Sequence, residues 1–150
     1  MAKRKHFNIE MDVTKLIKTL DLSDEAVDKA SELAMNDMTD ELTRVATESA
    51  PINKGILRMN STRSVKKNGF TGNFEGRVAF SIYEGTFNYA LWIHEGAYEL
   101  GEESESAPGT TGWSGKHYDV GRKYLSRPLE GERQAFLDFY AEQMKKAVEG

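Results

Sequence analysis

The chain has 150 residues, of which 39% are hydrophobic and 29% charged, and it contains no cysteine. That length suits one domain with one substantial core, and the lack of cysteine excludes disulfide scaffolds, thiolate catalysis and zinc sites built on cysteine. With 24 acidic against 20 basic side chains the net charge is −4, so general attraction to nucleic acid or to anionic membranes is not expected.

Residues 1–6 read as a flexible basic tail with Lys3, Arg4 and Lys5. No long apolar run follows them, which argues against a secretory signal. The longest apolar stretch, Tyr89 to Ile93, falls far short of the ~20 residues of a membrane span. A cytoplasmic, reducing setting is the expectation. From Phe7 to Val13 apolar and polar residues alternate, the period of a half-buried strand. Leu16, Ile17 and Leu20 then suggest a short amphipathic turn. Asp21 or Ser23 offers a cap for a helix whose positive end suits Asp24 and Glu25. Val27, Ala30, Ala34, Met38, Leu42 and Val45 recur at three or four residues and predict one long helix with a single buried stripe.

Pro51 ends that helix, and Gly55 lies in the connection. Ser61–Val65, Phe70–Phe74 and Arg77–Tyr83 read as strands separated by turns at Lys67-Asn68-Gly69 and Glu75-Gly76. The expected fold is therefore α+β: a long helix packed on an antiparallel β-meander, within one domain covering residues 1–150. Gly96 to Val120 has five glycines before Gly121 and four glutamates ahead of its first basic residue, Lys116. It reads as a long mobile loop over 97–119. Arg127-Pro128 opens a C-terminal helix with Leu129, Phe136, Tyr140, Met144 and Ala147 on one face, although Gly131 weakens its start by roughly 1 kcal/mol.

The small net charge is a cancellation. Residues 1–20 carry five basic and two acidic groups, 21–50 two and nine, 51–80 six and one, 81–110 none and six, and 111–150 seven and six. Such blocks are either solvated faces or acidic and basic surfaces that meet head to tail between copies. The chemical motifs fail one by one. His94-Glu95 lacks a second histidine at position 98 for a zinc helix. Gly115-Lys116 lacks the glycine and the hydroxyl of a phosphate loop, and Gly112-Trp113-Ser114-Gly115 closes one residue early for a nucleophile elbow. No catalytic, metal or cofactor residue is assigned, and the protein is expected not to be an enzyme. A hydrolase using His94 and Glu95 is the weakest of three functional readings. A basic nucleic-acid-binding patch is the second, with Lys54, Arg58, Arg63, Lys66, Lys67 and Arg77 interleaved with Phe70 and Phe74.

The favoured reading comes from three ordered segments. Ala50-Pro51, Gly55, Leu57-Arg58 and Ser61 resemble the A-P-x-x-x-G-x-L-R-x-x-S connection of the phage tail-completion, or head–tail joining (neck), family. Tyr89-Ala90, Ile93, Glu95 and Gly96 resemble its Y-A-x-x-(V/I)-x-x-G segment. Gly121-Arg122-Lys123-Tyr124-Leu125 and Pro128-Leu129 resemble its G-x-x-(F/Y)-L-x-x-(A/P)-(L/I) opening of the last helix. The resemblance spans about residues 25–148. It implies a virion structural protein, made in the bacterial host cytoplasm, that forms a ring of six copies between the head connector and the tail tube or tail terminator. Genome DNA would pass through that ring, with no cofactor and no membrane partner. Candidate interface residues are Arg58, Tyr98, Glu102, Glu103, Trp113, Lys116 and Arg122, and the loop is expected to become ordered on assembly.

Overall fold

The structure, a computed structural model, describes residues 7–12, 25–52, 55–69, 72–96 and 98–149. The basic tail, the turn at Leu16–Leu20, the caps at Asp21 and Ser23, and Lys54 and Phe70 lie outside the described residues. Seven strands are described: β1 (Phe7–Asp12), β2 (Ser61–Lys67), β3 (Phe74–Phe80), β4 (Tyr83–Glu84), β5 (Phe87–Asn88), β6 (Thr110–Thr111) and β7 (His117–Tyr118). Five helices accompany them: α1 (Glu25–Ser49), α2 (Ile56–Met59), α3 (Tyr89–Glu95), α4 (Glu102–Ser106) and α5 (Ser126–Glu149). The fold is α+β.

Helix α1 follows from its spacing. Val27, Ala34, Met38, Leu42 and Val45 are buried as the periodicity requires, and Met35, Ala46, Ser31, Thr39 and Ser49 widen the stripe. That stripe covers the sheet on one side and α5 on the other. Phe136, Tyr140 and Met144 of α5 close the core, and the Tyr140 hydroxyl meets the Ser31 hydroxyl across the two helices.

The strand pattern differs from the expected one. Two strands, β2 and β3, occupy the stretch expected to hold three, and β1 pairs antiparallel with the other edge of β3, giving the order β1-β3-β2. Glu75-Gly76 is not a turn but lies inside β3, where Gly76 faces Val65 of β2 and Met11 of β1. The reason is packing: a Cβ at Gly76 would overlap the Thr39 hydroxyl and crowd Met35. Glycine there lets α1 lie close over the central strand. Phe74, Val78 and Phe80 point to the same core side, while Arg77 is exposed.

The segment 97–119, expected to be a long mobile loop, holds α4 and the β6–β7 hairpin and makes several side-chain contacts with the rest of the chain. The Tyr98 hydroxyl donates to the Ile93 carbonyl at 2.6 Å. The Ser104 hydroxyl, on buried Ser104, accepts from the Ile52 N–H at 2.8 Å. Arg44 grips Glu41 with two nitrogens and reaches the Thr110 hydroxyl at 2.8 Å and the Thr111 carbonyl at 2.9 Å. Glu132, wholly buried in α5, accepts from the Ser114 N–H at 2.9 Å, from the Ser114 hydroxyl, and from the Tyr118 hydroxyl at 2.7 Å.

Candidate functional site

The three segments that carry the family resemblance converge. Ser49, at the end of α1, accepts the Gly121 N–H on its carbonyl at 3.0 Å and donates its hydroxyl to the Tyr124 carbonyl at 3.1 Å. The Tyr124 hydroxyl in turn donates to the Ala90 carbonyl at 2.9 Å, and the Lys123 N–H donates to the His94 carbonyl at 2.8 Å. The Tyr124 ring meets Phe80 and His94 edge-on, each at 5.0 Å between centroids. Burial explains why its hydroxyl holds its proton more tightly than an ordinary tyrosine. Around this one side chain the end of α1, helix α3 and the start of α5 are locked together.

Each motif residue has a physical task in this knot. Gly55 takes φ +73° ahead of α2, a conformation that favours glycine. Arg58 then turns back, donating to the Ala50 carbonyl at 2.9 and 3.1 Å and to the Glu48 carbonyl at 3.1 Å. These are carbonyls at the end of α1, which lack helical partners. Burial lowers the Arg58 pKa against the pull of Glu48, yet a guanidinium stays charged. Leu57, Ala90, Ile93 and Leu125 are buried beneath.

His94 is buried completely. Its Nδ1 lies 2.9 Å from Glu95 Oε1, and its Nε2 lies 3.0 Å from the Ser126 hydroxyl and 3.3 Å from the Ser126 N–H. An N–H aimed at Nε2 makes that nitrogen the acceptor and places the proton on Nδ1, facing the carboxylate. Burial lowers the His94 pKa, Glu95 opposes the shift, and Lys123 and Arg127 add to it. Glu95 is held below the usual carboxylate value by Lys123, 3.0 Å away, and by His94. Sequence reasoning singled out His94 and Glu95 but not Ser126, which completes a serine–histidine–carboxylate line. The neighbouring backbone donors are engaged within the chain. The Arg127 and Leu129 N–H groups are already given to Lys123 and Leu125, and residue 128 is proline. The Ser126 N–H is likewise given to His94 Nε2, so among the described residues the N–H groups of 126, 127 and 129 are all engaged within the chain. The arrangement anchors the first turn of α5 to α3.

Beside the knot is an open groove of about 740 Å³, lined by Thr86, Phe87, Leu91, Trp92 and Glu95 among others. Phe87 and Trp92 stay 47% and 46% exposed beside this groove, forming an apolar aromatic patch at the surface. Trp92 is stacked between Tyr89 and Tyr98, at 6.3 and 5.4 Å. The sequence held a signal for it: Ala90, Ile93 and His94 define the inward face of α3, so Trp92 must point away from the core.

The expected interface residues scatter. Arg58 is spent on the backbone of its own chain, and Tyr98 on Ile93 and Trp92. Trp113 folds back on Phe136 and Phe139, at 5.6 and 4.7 Å, though 45% of it remains exposed. Glu102 and Glu103 are exposed in the first turn of α4, and Lys116 and Arg122 are exposed on the hairpin and ahead of α5. Of these seven, Tyr98 alone reaches the groove region, through its stacking on Trp92.

The basic stretch proposed for nucleic acid is partly consumed inside the chain. Arg63 pairs with Asp40 at 2.8 Å and with the Asn36 side chain at 2.8 Å, and Lys67 pairs with Asp28 at 2.5 Å. Phe74 faces the core. Among the described residues, no group of three or more histidine, aspartate or glutamate side chains could hold a metal ion, and no helix is long and apolar enough to cross a membrane. Comparison with family models, with curated proteins and with solved structures finds no match for the chain.

Proposed function

We propose that this chain is a virion structural protein of the head–tail joining (tail-completion) type, assembling as a ring between the head connector and the tail tube or its terminator. The observation that carries the reading is the convergence of the three motif segments on Tyr124. Residues 50–61, 89–96 and 121–129 are far apart in sequence, yet Ser49, next to the first segment, is hydrogen-bonded to the third, and Tyr124 of the third is hydrogen-bonded to Ala90 of the second. The Arg58 clamp on the Ala50 carbonyl, the glycine at φ +73° and the tyrosine that spans to α3 give three of the motif positions a structural task. An exposed aromatic groove next to this rigid knot gives the subunit a surface to present to a neighbour.

The test is genetic and biochemical. Deleting the reading frame from the genome that encodes it should leave DNA-filled heads and complete tails unjoined, and purified protein added to that extract should join them into infectious particles. Infectious particles in undiminished number without the protein would sink the proposal. The nucleic-acid reading is less well supported, because two of its basic residues are paired with α1 and a third, Arg58, binds backbone. A gel shift of duplex DNA at low salt would revive it.

A further inference from the structure

Lys3-Arg4-Lys5 is the longest run of basic residues in the chain, and 78–115 is its longest stretch without lysine or arginine, carrying six glutamates. The sheet sets the two side by side. Phe7, the first residue of β1, faces Phe80, the last of β3, in an antiparallel pair, so the chain ahead of Phe7 leaves the sheet at the end from which β3 runs on to β4. Facing Cα atoms in such a pair lie about 5 Å apart. Lys3 precedes Phe7 by four residues and Glu84 follows Phe80 by four, and four residues span at most about 14 Å. The two reaches are equal, and counting on in the same register sets Lys3 opposite Glu84. Phe87 faces Glu84 across the β4–β5 pair, so their side chains rise on one face, and Phe87 lines the groove.

We propose that this chain's own basic segment, Lys3 to Lys5, is the occupant of the groove, its charges set between Glu84 and Glu99 and its stems laid on Phe87 and Trp92. The groove has the chemistry for such a segment. Its wall is aromatic; guanidinium and ammonium groups are attracted to ring faces, and their alkyl stems cover apolar surface. Its rim is acidic. Glu84 and Glu99 are exposed and have no ion-pair partner among the described residues, and Glu99 follows Tyr98, whose ring stacks on Trp92 at 5.4 Å. Glu95, also on the wall, pairs with Lys123 at 3.0 Å, which neutralises the nearest charge that would oppose the segment. The contact lies within one copy; it goes beyond the joining function proposed above and does not rest on it. Any partner that uses the groove must displace the segment first.

The lack of cysteine makes the test direct. A2C/T86C keeps all three basic residues and places one thiol on the groove wall, where Thr86 is exposed. In dilute protein a disulfide should close within one chain, and its equilibrium with reduced and oxidised glutathione gives the effective concentration of the two thiols. Reversing the segment (K3E/R4E/K5E) or the rim (E84K/E99K) should each lower that value by about threefold to tenfold, the range of a few exposed ion pairs, and the two sets combined should recover it. A second readout needs no thiol. In a W113F background, deleting residues 2–6 should let acrylamide, a neutral quencher, reach Trp92 more readily, and E84K/E99K should have the same effect. Circular dichroism of each variant checks that the fold is kept. An effective concentration that ignores both reversals, disulfides that form only between chains, or Trp92 quenching unchanged by the deletion each overturn the inference. None of these results bears on the joining assay, which decides the proposed function by itself.

Discussion

Replacing Glu132 by glutamine should release the β6–β7 hairpin from α5. The carboxylate is fully buried and accepts three hydrogen bonds, from the Ser114 N–H, the Ser114 hydroxyl and the Tyr118 hydroxyl. Bonds to a charged acceptor contribute roughly 1.5–3 kcal/mol and neutral ones about 1 kcal/mol. Glutamine therefore loses about 1 kcal/mol on each of the three, and part of that loss is offset because no charge has to be buried. A net destabilisation of about 2 kcal/mol follows, or about 4–8 °C in Tm for a domain of this size. The pH dependence has a definite sign. Burial pushes the Glu132 pKa up, but the bonds from Ser114 and Tyr118, with Lys116 nearby, outweigh it and leave the pKa lowered. A lowered folded pKa means that the carboxylate stabilises the fold above its ordinary value near 4.5, and that this stability is lost as pH falls toward the folded pKa. The wild-type and E132Q curves should therefore converge in acid. Urea titration in a W92F background reads Trp113, which lies on Phe136 and Phe139, while hydrogen exchange at the Ser114 amide reports the bond itself. Equal stability within about 0.5 kcal/mol at pH 7, with unchanged Ser114 protection, would refute the clamp.

Helix propensity says that G131A should stabilise α5 by about 1 kcal/mol. The structure reverses the sign, because a Cβ at 131 would overlap the Tyr118 hydroxyl, and a loss of about 1–3 kcal/mol by thermal denaturation is expected. R58A should cost about 2–3 kcal/mol by stranding the Ala50 and Glu48 carbonyls; R58K, which cannot match the fork, should recover less than half in the same assay. Burial lowers the His94 pKa, so the unfolded chain takes up this proton first as pH falls. Stability should therefore decline from about pH 6.5 downward, and H94Q should flatten that part of the profile in equilibrium unfolding.

The two long helices were legible in the sequence because each carries enough periods for the apolar stripe to stand out. Val27 to Val45 and Phe136 to Met144 lie where the spacing puts them. Strand boundaries were not, and Gly76 shows why: a glycine beside a glutamate has the composition of a turn, and only the nearness of Thr39 and Met35 shows that the residue is a gap for a helix. The segment 97–119 misled for a related reason. Its anchors are single side chains that meet partners far away in sequence, Ser104 with Ile52, Arg44 with Thr110, Glu132 with Ser114, and no local period records such pairs. The candidate surface was half legible. Exposed Trp92 follows from the inward face of α3, but its place beside Phe87 depends on the two-residue strands β4 and β5, too short for any pattern.

Charge shows most clearly how the fold reassigns what composition suggests. The acidic block 21–50 and the basic block 51–80 read as opposite surfaces able to meet between copies, yet Asp28 and Asp40 of α1 meet Lys67 and Arg63 of β2 within one chain. Each such exposed pair contributes at most about 1 kcal/mol, so the pairing matters less for stability than for what it removes from the surface. The acidic block 81–110 keeps more of its charge free: Glu95 alone of its six acids has a basic partner, Lys123, among the described residues. Its other acids, Glu84, Glu99, Glu102, Glu103 and Glu105, are exposed. An approaching phosphate backbone meets like charge at these carboxylates. That repulsion is between exposed charges, so it should weaken with rising salt as the Debye length shrinks, and any duplex-DNA shift seen at low salt should be governed by the basic residues left unpaired elsewhere on the chain.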